Sequence, residues 1–251
     1  MPIFERYGQP PISPIPDPDR EWMENSFRWL LDAFGEEAIR NRKVLTPHHN
    51  DFPIRYNGET QTALDTLSIV AAQMEIDPES IHLEIYNQGK GAYLRGYKNA
   101  DYSAGLYLGK EEDGKFHVWL EQEQLFYPEK MVATLAHELA HIKLLGEGRI
   151  EKNDESLTDM TTIVFGLGIF NANACFEFYN GDKGWGYSSQ GYLKQREWGY
   201  GLALFLQLRD EPRADWIKLL TRNIRSDIAK SLNYLQNRDA EGPLSPDPQD
   251  S

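Results

Sequence analysis

His137, Glu138 and His141 are the residues of this chain best placed to do chemistry together. They stand in the segment His137-Glu138-Leu139-Ala140-His141, an H-E-x-x-H pattern within the run Met131 to Leu145. That run has the composition of a helix. Residues four apart on a helix lie one above the other, so both imidazoles project from one face, about 6 Å apart along the axis. Two neutral imidazoles at that separation suit one Zn²⁺ ion. Glu138 falls on the adjacent face, where its carboxylate can act as base toward a water that the metal acidifies.

The flanking residues strengthen this reading. Met131, Val132, Leu135, Ala136, Leu139, Ala140, Ile142, Leu144 and Leu145 surround the helix with apolar side chains. A helix apolar all round is buried, and polar groups in a buried helix need partners. A metal would partner both histidines and give the glutamate its role.

Zinc in a hydrolytic site usually takes three protein ligands and keeps one open position. Gly146 and Gly148 end the first helix, Asn153 or Asp154 can cap a second, and Glu155 to Phe170 reads as that helix. A short turn makes the two helices antiparallel, so the start of the second meets the end of the first. Glu155 is the expected third ligand. Asp159, four residues on, is the expected acceptor of a hydrogen bond from a ligand histidine, which would fix its tautomer. Asp159 and Glu147 are the alternative third ligands.

His137-Glu138-x-x-His141 followed by Glu155-x-x-x-Asp159 resembles the zincin metallopeptidases, and among them the gluzincin branch. The resemblance spans about residues 115–170. It implies a zinc-dependent hydrolase with His137, His141 and Glu155 on the metal and Glu138 as general base. The metzincin pattern is absent, because Leu144 stands where its glycine would be and Glu147 where its third histidine would be. Lys115 to Glu121 alternates as a strand does, and Tyr127-Pro128 opens the metal helix. The resemblance implies that this strand is the edge to which a peptide substrate adds. His117 within it reads as a surface or sheet histidine.

The fold expected from these signals is α+β and zincin-like: a small, mainly antiparallel sheet packed on helices, including the H-E-x-x-H helix, followed by an all-helical C-terminal half. Gln9 to Pro18 carries five prolines, so residues 1–19 read as an extended arm. Residues 20–238 read as one zincin-like domain, with an α+β lobe over 20–150 and a helical lobe over 151–238. Residues 239–251 read as an acidic, disordered tail. Helices are expected over about 20–40 and 59–76, strands over 81–86, 92–97, 104–108 and 115–121, and further helices over about 188–208 and 212–237. Gly89-Lys90-Gly91 lacks a following helix and is no phosphate loop. His48, His49 and Asp51 in the loop 46–58 form a weaker metal-binding cluster.

Acyl transfer at zinc needs a donor to the developing oxyanion. Tyr192 and Tyr200 are the candidates, with Arg196 behind them. The formal charge of −13 disfavours nucleic acid and anionic membranes as partners. Cys175 is the sole cysteine, which excludes an intrachain disulfide and a cysteine zinc cluster. No apolar run is long enough to span a bilayer, and the N-terminus lacks a secretion-signal layout. The expectation is therefore a cytoplasmic zinc hydrolase acting on peptide or protein. The alternative is a non-catalytic protein of the same fold, its metal closed off by a fourth ligand such as Glu147.

Overall fold

A computed structural model describes residues 12–87, 104–175, 177–181, 184–188 and 192–241. The expected strand 92–97 and the glycines at 89 and 91 lie outside these residues, as do 1–11 of the arm and 242–251 of the tail.

The chain opens with helix α1 (Asp17–Phe34), which starts three residues earlier than the proline count suggests. Pro18 occupies its first turn, where a missing N–H costs nothing, and Asp17 and Asp19 complement the helix dipole. Ile15, just before it, is buried, so this end of the arm belongs to the core. Gly35 breaks the expected single helix, and α2 (Glu36–Asn41) follows. Helix α3 (Thr60–Gln73) buries Ala63, Leu67, Val70 and Ala71.

Three strands then form a mixed sheet: β1 (Ile81–Tyr86), β2 (Gly105–Lys110) and β3 (Phe116–Glu121), in the order β1-β3-β2. β1 runs parallel to β3 and β2 antiparallel to it, with a register shift between Tyr107 and Gly109. The strand expected at the edge, β3, is therefore central. Five of its six residues, His117 to Glu121, are buried, as suits a strand paired on both sides. The outer strand beside the metal helix is β2.

Helix α4 (Pro128–His141) carries the H-E-x-x-H pattern and runs into a π-helical turn over Ile142–Gly146. Its apolar residues pack into the main core. Helix α5 (Glu155–Val164) is capped by Asp154, whose carboxylate accepts the Leu157 N–H. The expected continuation to Phe170 is interrupted. Gly166 has φ +74°, and a Cβ there would lie 2.3 Å from the Lys43 carbonyl oxygen. The chain turns there and resumes as α6 (Gly168–Ala174).

The C-terminal half is helical apart from one hairpin, β4 (Glu177–Gly181) and β5 (Gly184–Ser188). Ser188, where a helix is expected to begin, instead ends β5. Helix α7 (Gln195–Leu208) starts seven residues later than expected, and α8 (Arg222–Glu241) is the last described helix, running three residues into the expected tail. No described helix is long and apolar enough to cross a membrane.

Candidate metal centre

Helices α4 and α5 meet so that the beginning of α5 faces the end of α4. Glu155 Oε2 lies 3.1 Å from His137 Nε2 and 3.4 Å from His141 Nε2. One ligand atom from each of the three residues falls within 4.8 Å of the others, and among the described residues no second group of His, Cys, Asp or Glu does this. His48, His49 and Asp51 do not converge: Asp51 takes the N–H and hydroxyl of Thr46 and pairs with Lys43. Glu147 is likewise engaged elsewhere, with Lys143 and Arg149. It neither competes as third ligand nor closes the site as a fourth.

Asp159 sits behind His137 and is fully buried. Its Oδ1 accepts from His137 Nδ1 at 2.9 Å, and its Oδ2 accepts the backbone N–H groups of Tyr192 at 2.6 Å and Leu193 at 3.0 Å. A carboxylate surrounded by N–H donors acts only as acceptor, so the shared proton belongs to Nδ1, and Nε2 is the nitrogen that faces Glu155. One side chain thus orients a ligand histidine and anchors the segment that carries Tyr192.

The electrostatics favour a cation. Burial opposes charge on His137, yet hydrogen bonds to Asp159 and Glu155 outweigh it and push the imidazole up to about 10. Burial likewise opposes charge on Glu155, yet hydrogen bonds from His137 and His141 hold its carboxyl well below the usual range. These opposed shifts mean that positive charge is stabilised between imidazoles and carboxylate. Two imidazoles and one carboxylate are the donor set of catalytic zinc sites. The cluster is consistent with a gluzincin-like H-E-x-x-H metallopeptidase motif and is geometrically suited to a zinc ion.

Glu138 lies under β2. It is buried, which raises its carboxyl above the ordinary value, and it accepts the backbone N–H of Tyr107. The β2 backbone passes directly over it. A Cβ on Gly105 would come 2.5 Å from Thr134 Cγ2 and 3.0 Å from both Cγ and Oε1 of Glu138. Gly105→Ala is therefore expected to overpack this contact, at a cost of about 1–3 kcal/mol in stability, and to lower hydrolysis while zinc content stays at wild type. Urea denaturation, zinc analysis and rate measurements on one preparation check this.

Aromatic rings flank both ligand imidazoles. Tyr192, 60% exposed, stacks on His137 with ring centroids 6.3 Å apart, and Tyr107 stacks on His141 at 5.9 Å. Tyr200 does not join them. It is fully buried on α7, and its hydroxyl donates to Glu24 on α1, which also pairs with Arg238 on α8. Its position is set by the packing of α7 against α1 and α8, so it cannot serve as the oxyanion donor expected of it. Arg196 is exposed on α7.

Thr158 and Tyr107 touch the ligand histidines without having been singled out from the sequence. Thr158 shares the helical face of Glu155, three residues before it, so periodicity could have found it. Tyr107 reaches the site through the register of a β-hairpin, for which the sequence holds no local signal. No protein-family model matches the chain, and neither a curated protein nor a solved structure matches it.

Proposed function

We propose that this chain is a zinc-dependent metallopeptidase-like hydrolase. The observation that carries the reading is the convergence of His137, His141 and Glu155, with Glu138 beside them and a separate buried carboxylate, Asp159, orienting His137. Zinc, when bound, supplies Lewis acidity to a carbonyl oxygen and makes a water acidic near neutral pH. His137 and His141 offer Nε2, and Glu155 an oxygen. Glu138 takes a proton from the attacking water and returns it to the leaving amine. Its burial beneath β2 limits its access to bulk water and keeps it basic enough for that exchange. Tyr192, exposed and held by Asp159 through its backbone, is the chain's candidate donor to the developing oxyanion.

An extended peptide is the substrate that best fits an outer strand passing over the general base, since edge addition aligns a backbone carbonyl by main-chain hydrogen bonds. Incubation with a broad peptide library tests the reading. Cleavage is expected to stop after metal chelation and to return on adding zinc. Cleavage that survives complete chelation contradicts it.

A further inference from the structure

We infer that Thr158 is a positioning residue that fixes the tautomer of His141 and thereby frees its Nε2 for metal. This role presupposes the zinc site proposed above. His141 is buried, and its Nδ1 lies 3.4 Å from Thr158 Oγ1, itself fully buried. A threonine hydroxyl has one hydrogen to give and lone pairs to accept with. Here the hydrogen is committed: Oγ1 donates to the Asp154 carbonyl at 2.9 Å, one turn back on the same helix. That carbonyl also takes the Thr158 backbone N–H at 2.9 Å. The restricted χ1 of a β-branched residue on a helix holds the hydroxyl there. What remains toward His141 is an acceptor, so Nδ1 keeps its hydrogen and Nε2, which faces Glu155, is the nitrogen left for metal.

The two ligand histidines are thus oriented by neighbours on one helix, Thr158 for His141 and Asp159 for His137. The consequence of losing Thr158 is specific. With no acceptor at Nδ1, the buried imidazole keeps its hydrogen bond by moving the proton to Nε2 and donating to Glu155, 3.4 Å away. That tautomer occupies the ligand atom itself, and zinc must displace it.

The test compares the wild type with Thr158→Val, which keeps the shape and removes the acceptor, and Thr158→Ser, which restores it. Zinc affinity is read by competition with a chromophoric chelator. The His141 tautomer is read by imidazole nitrogen NMR on zinc-free protein at alkaline pH, with signals identified by their loss in His141→Asn. Thr158→Val is expected to weaken zinc by about 10–100-fold and to shift the proton from Nδ1 to Nε2, and Thr158→Ser to recover most of the affinity. Wild-type affinity in Thr158→Val, or a wild-type His141 protonated at Nε2 and not at Nδ1, overturns the role. A wild type that takes up no zinc overturns the metal reading instead, and the tautomer measurement then decides the role of Thr158. Should Thr158→Val fail to fold, the wild-type tautomer and the serine variant decide it.

Discussion

Glu138→Gln is expected to bind zinc as the wild type does and to hydrolyse peptide about 10²–10⁴ times more slowly, the contribution typical of a positioned general base. In barrier height this is about 3–5 kcal/mol. Glutamine keeps the volume of the side chain, which matters because the backbone at Gly105 passes close over it. Its amide oxygen can still accept the Tyr107 N–H that Glu138 accepts. What it lacks is the capacity to take a proton. Zinc retention follows because Glu138 lies outside the His137, His141 and Glu155 cluster. Zinc content and single-turnover rates on the same preparation check both halves. Wild-type rates in Glu138→Gln would remove it from the mechanism.

Asp159→Asn is expected to be the most damaging substitution for the metal-free fold. Three N–H groups converge on this fully buried carboxylate: His137 Nδ1–H on one oxygen, and the Tyr192 and Leu193 amides on the other. An asparagine presents one oxygen and one NH₂, so either the NH₂ faces the two backbone N–H groups, or it faces Nδ1 and His137 must give up the hydrogen it carries there. Breaking a buried charged pair by altering one partner costs about 3–5 kcal/mol. The zinc affinity falls as well, by about 10–100-fold, because His137 loses the acceptor that orients it. Urea denaturation in the presence of chelator reads the first effect and chelator competition the second. Unchanged stability and unchanged affinity together would show that Asp159 supports neither.

The parts of this site that could be read from the sequence are those fixed within one helix. The spacing of His137 and His141, the apolar residues around them, and the four-residue step from Glu155 to Asp159 are all helical periodicities. They survive folding unchanged. What could not be read depends on contacts between distant segments. Gly166 breaks the helix after Val164 because the Lys43 carbonyl approaches its Cα too closely for a side chain. β3 is central because β1 pairs with it in parallel, and that pairing has no local signature. Tyr200 and Tyr192 look alike in sequence as aromatic residues beside a helical run. Packing separates them, since one hydroxyl is consumed by Glu24 while the other ring lies exposed over His137. Glu147 was a reasonable ligand by spacing alone, but Lys143 and Arg149 claim it.

The central claim is that His137, His141 and Glu155 hold one zinc ion. The most direct measurement is the metal content of protein purified without added metal, for the wild type beside Glu155→Ala and Glu147→Ala. About one zinc per chain is expected in the wild type and in Glu147→Ala, since a catalytic zinc site takes three protein ligands and Glu147 is not among them here. Little or none is expected in Glu155→Ala. A wild type without zinc, or a Glu155→Ala variant that keeps its full complement, would contradict the account.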